Sequence, residues 1–335
     1  MRTLPDPRGE ISELLLAELG GAVHALAAVP VANGTDALAD EDLQLALYLC
    51  YELHYRGLPG VDSEWEWEPS LLALRRDLEA VFDSALVDLA GAPGETAEPG
   101  EMDLALRAIA EADEGPSLSV FAERHATLEQ MLEFMVHRSA YQLKEADPHS
   151  FALPRLSGRP KAALVEIQAD EYGGGRVERI HAELFARAMR AVGLDDEYGA
   201  YLDRIPAPTL ATVNLMSRWG LHRRWRGAIV GHLALFEMTS SIPNRRYGAA
   251  LRRLGFGEDA TAFFDEHVLA DAVHENVAAV DLAGGLVAQE PALGPDVLWG
   301  ARVLSTVEGL WSRHLLARWE SGDSSLREPL AVGAG

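Results

Sequence analysis

Apolar residues recur at spacings of three and four along most of this chain, as in ISELLLAELGGAVHALA, DEDLQLALYLCYELHYRGL and LLALRRDLEAVFDSALVDLAG. The strict alternation that a half-buried strand needs is scarce. Each periodic segment has one face that must be buried against another helix, so the spacing predicts an all-α protein. Alanine and leucine supply much of the apolar content, which favours helix formation and close helix packing. Pro148, Pro154, Pro206, Pro208 and Pro243 are read as helix boundaries, because proline has no N–H to give to the helical ladder. The acidic, glycine- and proline-bearing stretch AGAPGETAEPGEMD, residues 90–103, breaks the pattern and reads as an exposed loop. The expected organisation is an N-terminal helical extension, residues 1–100, packed on a larger helical domain, residues 101–335.

Charge narrows the partners. Fifty-two acidic against 29 basic residues leave a formal charge of -23, which repels phosphate backbones and anionic lipid surfaces. Neither nucleic acid nor membrane is expected as a partner. The opening MRTLPDPRGE has no apolar signal core, and no apolar run approaches the roughly 20 residues that span a bilayer. Cys50 is the only cysteine, so no intrachain disulfide can form and a reducing cytoplasm is the expected compartment. A dinucleotide-binding glycine motif after a strand, a P-loop and a serine-hydrolase elbow are all missing from the sequence.

Chemistry concentrates in FFDEHVLADAVHEN, where His267, Asp271 and His274 form an H-x-x-x-D-x-x-H run. At about 100° per residue, steps of four and seven bring all three to one helical face. Two imidazoles with a carboxylate between them suit iron, manganese or zinc; the plain alternative is a solvated polar face. Other candidates are Glu145 in YQLKEADPH, Glu171 and His181 in DEYGGGRVERIH, and Glu237 in GAIVGHLALFEM. Glu237 sits in so apolar a stretch that burial would need a cation or a strong donor, and Arg223, Arg224 or Arg226 could serve instead of a metal. Glu178 and His181 have the E-x-x-H spacing of ferritin-like sites, yet no matching second copy is present. Gly173–Gly175 fit either a distorted helix, needed because ten regular residues leave Glu171 and His181 about 80° apart, or a turn between helices. Arg155, Arg159 and Lys161, or His222 with Arg223 and Arg224, could meet a substrate. Trp65 and Trp67 read as caps on a core edge, and His125, His137, His149 and His232 as spare imidazoles.

LKEADPH, LVEIQADEYGGG, IHAELF, HLALFEMTS and DEHVLADAVHE, in this order over roughly residues 125–290, resemble the haem-oxygenase-like di-iron oxidases and oxygenases, the iron-containing redox enzyme family. The resemblance implies a haem-oxygenase-like helical bundle in which non-haem iron replaces haem. It implies one iron on Glu171, His181 and His274 and another on His267 and Asp271, with Glu237 shared or close to both. It favours Glu171 over Glu178, and it matches Glu145 to the additional carboxylate of the family's N-oxygenating branch. Glu145, Glu171 and Glu237 are the acids expected to take part in catalysis. The implied cofactors are two iron ions, with dioxygen as co-substrate and an external electron donor. The implied reaction is N-oxygenation of a small amine to a hydroxylamine, nitroso or nitro product in specialised biosynthesis. Oxidative C–C cleavage of an amino acid or decarboxylation of a fatty acid at the same site is the alternative chemistry. A non-catalytic helical carrier of metal or ligand is the alternative of another class. The oligomeric state stays open, a homodimer included.

Overall fold

A computed structural model describes residues 3–31, 36–112 and 115–330, except the side chains of residues 270–273. The helices are α1 (Glu10–Leu19), α2 (Glu41–Glu52), α3 (Pro69–Ala90), α4 (Met102–Glu111), α5 (Leu118–Arg124), α6 (Leu128–Gln142), α7 (Asp147–Ser150), α8 (Gly158–Glu171), α9 (His181–Ala191), α10 (Ala207–Leu221), α11 (Arg226–Arg253), α12 (Glu258–Asn276), α13 (Gly285–Gln289) and α14 (Gly294–Glu320). No strand occurs among the described residues, so the all-α expectation is met. A π-helical segment, Val277–Gly284, joins α12 to α13. Such wide turns often lie beside functional sites.

Helix starts follow their local chemistry. Asp40 caps α2 by accepting from the backbone of Asp42 and Leu43, and Thr127 with Gln130 forms a reciprocal capping box on α6. Pro148 and Pro208 lie in first turns, where a missing N–H costs nothing. Pro243 departs from the expected boundary. It sits inside α11, which continues to Arg253, and the surrounding packing outweighs the lost hydrogen bond.

Helix α11 is the centre of the bundle, packed against α12, α14 and α5, while α8 lies on the π-helical segment and α9 on α12. The crossing of α11 and α14 is unusually close. A Cβ on Gly231 would stand 1.8 Å from the Val297 carbonyl oxygen, and one on Gly300 2.1 Å from that of Ala228. Helix α2 is buried on every side from Leu43 to Glu52 and packs on α1, α3 and α10. One apolar cluster therefore runs from Leu15 through α2, α10 and α11 to Leu326. The 90–103 stretch is tied down as well, because the Trp299 indole donates to the Gly91 carbonyl at 2.6 Å. No helix among the described residues is long and apolar enough to cross a membrane.

Candidate metal centre

Glu145 is placed by a strained turn. Helix α6 ends at Gln142, and Ala146 then adopts φ 73°, a left-handed conformation that costs a residue with a Cβ. Three neighbours hold that turn: Arg56 donates to the Leu143 carbonyl, Gln168 to the Ala146 carbonyl, both at 2.8 Å, and Lys144 pairs with Glu52 at 3.0 Å. Glu171 is the last residue of α8 and His181 the first of α9. The glycines between them make an interhelical turn, each with positive φ. Gly173 also allows close passage, since a Cβ there would come within 2.6 Å of the Arg179 carbonyl carbon. Helix α11 contributes Glu237, and α12 contributes His267 and His274.

These side chains converge in two overlapping groups. Donor atoms of Glu145, Glu171, His181 and His267 lie within 4.8 Å of one another, as do those of Glu171, Glu237 and His274. All six residues are buried. Glu171 belongs to both groups; the resemblance implies Glu237 as shared by the two irons or close to both. His181 Nδ1 lies 2.9 Å from Glu171 Oε2, His274 Nδ1 3.3 Å from Glu237 Oε2, and His267 Nε2 3.4 Å from Glu145 Oε1. His267 Nδ1–H donates to the Phe263 carbonyl at 2.8 Å, so Nε2 presents a lone pair to a carboxylate oxygen. A neutral imidazole and a carboxylate facing each other in a buried site need a proton or a metal ion between them.

Other observations agree with a cation. Glu145 Oε2 is buried without a hydrogen-bond partner among the described residues, and the contacts of His181 Nδ1 with Glu171 and of His274 Nδ1 with Glu237 are ion pairs inside the two groups. Burial alone would raise the Glu171 carboxyl, but His181 beside it, with His267 and His274 beyond, holds it well below the usual carboxylate range. Burial would lower His274, but the Glu237 carboxylate, with Asp170 and Glu171, raises it to about 9. His181 is also raised, because Glu171 outweighs its burial. In the absence of metal, imidazolium charge thus offsets the three carboxylates. The residues present fit a carboxylate- and imidazole-bound metal such as iron.

Asp271 lies in α12, but its side chain is outside the described residues. Glu178 is exposed in the turn before α9. The arginine alternative for Glu237 finds no contact: Arg224 pairs with Asp83 and Arg226 with Glu290, while Arg223 is exposed. Arg155 caps the carbonyls of Gly220 and Leu221, Arg159 pairs with Asp281, and His222 with Glu79, so these groups have structural partners. Trp65 is buried and Trp67 exposed. His125 is exposed, and His137 bonds to the Thr209 and Ser325 hydroxyls. His149 and His232 form a buried pair at 3.1 Å; burial pushes His149 down to about 4.

Sequence reasoning passed over two neighbours. Asp170 stands 2.9 Å from His274 Nε2 and orients that ring; only its place beside Glu171 could have flagged it. Tyr141, one helical turn before Glu145, lines a small cavity with Glu145, Glu171 and Glu237. A larger cavity of about 370 Å³ reaches Glu145 and His267. Its walls include Phe134, Phe185, Phe236 and Phe263 beside Gln142 and Glu308.

Helical architecture and buried site together fit a metal-binding protein, and residues 132–309 match the family described as iron-containing redox enzyme. That match spans more than half of the chain, which belongs to this family and is an oxidoreductase by membership. The chain is also 28% identical over 162 residues to a nitrosourea synthase from Streptomyces achromogenes subsp. streptozoticus. The aligned stretch covers 47% of this chain and 34% of that protein, about a third of the relative's length.

Proposed function

We propose that this protein is a non-haem di-iron oxygenase that takes dioxygen as co-substrate and electrons from an external donor to N-oxygenate a small amine. The products would be a hydroxylamine, nitroso or nitro compound in specialised biosynthesis. The observation that carries this reading is the enclosure of Glu145 with Glu171, His181 and His267 in one buried group. Glu145 is the carboxylate that the resemblance ties to the N-oxygenating branch. The likeness to a nitrosourea synthase supports the same branch. The cytoplasm is the compartment proposed for it, on its single cysteine.

Glu145, Glu171, His181 and His267 would hold one ion, and Glu171, Glu237 and His274 the other. Asp271 stays in the proposed set on sequence alone. Iron bound there supplies the electrons that activate dioxygen. The chain's own work is placement. The Phe263 carbonyl fixes the tautomer of His267 and leaves Nε2 to ligate, and Asp170 holds His274 through Nε2, leaving Nδ1. Tyr141 keeps its proton at Oη, because burial and then Glu145, Glu171 and Glu237 push its pKa well up. The phenylalanine walls of the larger cavity exclude water around the substrate, and Gln142, whose Oε1 is buried without a hydrogen-bond partner among the described residues, supplies an acceptor for an amine, while Glu308 is held by Arg138.

Anaerobic loading with Fe(II), then oxygen in the presence of panels of amines and fatty acids, tests this by mass spectrometry of the products. Oxygen gained on nitrogen is expected. Loss of carbon dioxide or of a carbon fragment would assign the chain to the cleaving chemistry, and bound iron without turnover of any kind to a carrier.

A further inference from the structure

Aromatic rings behind the site form a continuous file toward the surface. His149 lines the small cavity with Glu145, Glu171 and Glu237, and its ring centre lies 5.2 Å from that of His232. Trp219 follows at 6.1 Å from His232, Trp299 at 5.4 Å from Trp219, and Trp225 at 5.2 Å from Trp299 in a stacked pair. Every step falls within aromatic contact distance. His149, His232, Trp219 and Trp299 are buried, while Trp225 is half-buried beneath the exposed guanidinium of Arg224.

Packing alone gives no reason for an indole at Trp219 or Trp225. The Nε1 atoms of Trp219 and Trp225 are buried without a hydrogen-bond partner among the described residues, a cost that phenylalanine would avoid. Trp299 Nε1–H donates to a backbone carbonyl, that of Gly91. Indole is among the side chains that most readily give up one electron, and none of these three N–H groups faces a base. An oxidised indole that cannot shed its proton remains a radical cation and passes its charge to the next ring. The guanidinium groups nearest Trp225, those of Arg218 and Arg224, both pair with Asp83, so the outermost ring faces compensated charge.

We propose that Trp219, Trp299 and Trp225 conduct single electrons between the metal centre and the surface, a route that rests on the iron reading given above. When dioxygen has oxidised the centre and no amine is bound, Trp219 loses one electron across the His149–His232 contact and the centre gains it. Trp299 then refills Trp219, and Trp225 refills Trp299. A soluble one-electron donor of the thiol or ascorbate class refills Trp225 and leaves in its own one-electron-oxidised form. No bond in the protein forms or breaks, and each passage oxidises one donor and reduces the centre by one electron.

The test is peptide mass spectrometry of iron-loaded protein given oxygen and catalase, with amine, thiol and ascorbate withheld and iron content measured first. Oxygen adducts should collect on Trp225, ahead of Trp67, which is off the file yet 68% exposed, and ahead of buried Trp65. Trp299→Phe should lower Trp225 adducts by about an order of magnitude. Trp225→Phe, at the surface end where the fold is least at risk, should move adducts to Trp299, and zinc-loaded wild type should show none. Heavier oxidation of Trp67 than of Trp225, or Trp225 adducts indifferent to Trp299→Phe at full iron content, overturns the route alone. A wild-type chain that binds no iron overturns the proposed function and the route with it.

Discussion

Glu171 is the residue on which both groups of the site depend, since among the described residues it alone stands in each. Glu171→Ala should therefore abolish binding of both ions, whereas His274→Ala should remove one and leave the group around His181 and His267 able to bind. Metal analysis after Fe(II) loading separates these outcomes, and equal loss in the two variants would contradict the sharing. Protonation gives a second prediction. His274 is raised to about 9, so its contribution to the metal-free fold is full below the ordinary imidazole range and is lost as pH rises through about 9. Glu171 is depressed, so its contribution is present above the ordinary carboxylate range and is lost as pH falls toward its folded value. Thermal unfolding of metal-free protein should show stability falling on both sides, with His274→Gln flattening the alkaline limb. At this scale the candidate ligands were legible because helical spacing and an acid within an apolar run both survive in the sequence. Which carboxylate is shared was not, because it depends on how separate helices rotate against one another. The same holds for Asp170, whose role exists only across the α8–α12 gap.

Between elements, the turn that presents Glu145 is held from the N-terminal part of the chain. Lys144 and Glu52 are both buried, at 1% and 0% side-chain exposure, and Tyr198 also donates to Glu52 at 2.7 Å. Removing one partner leaves a charge in the core, so Glu52→Ala should destabilise the protein by about 3–5 kcal/mol, measured by denaturant unfolding. Gly173→Ala should be tolerated poorly for another reason. It forces a Cβ against the Arg179 backbone at φ 64°, displaces the start of α9, and should lower metal occupancy more than overall helicity. Circular dichroism beside metal analysis reads both. The helices themselves were legible from apolar spacing, and the starts of α7 and α10 from proline. Pro243 misleads because burial of α11 on either side of it, at Gly227–Leu235 and at Tyr247, Gly248, Ala250 and Leu251, outweighs one lost ladder bond, and the glycine turn stayed ambiguous because a kink and a turn require the same residues.

Over the whole molecule, the N-terminal helices share one core with the rest. Leu45, Ala46, Leu47 and Leu49 are fully buried, and Asn214 on α10 donates to both the backbone and side chain of Gln44 at 2.8 Å. A chain lacking residues 1–100 should fail to unfold cooperatively, because α10 and α14 lose their cover; a sharp thermal transition in residues 101–335 alone would disprove this. The length over which α11 crosses the bundle gives Pro243 a meaning beyond a tolerated irregularity. Residue 243 has no N–H to offer, so the Thr239 carbonyl cannot receive its usual ladder bond, and Thr239 and Pro243 both line the larger cavity. The central strut of the fold is thus interrupted where it borders that space, so the stretch of α11 least held by its own ladder is also a wall of the cavity.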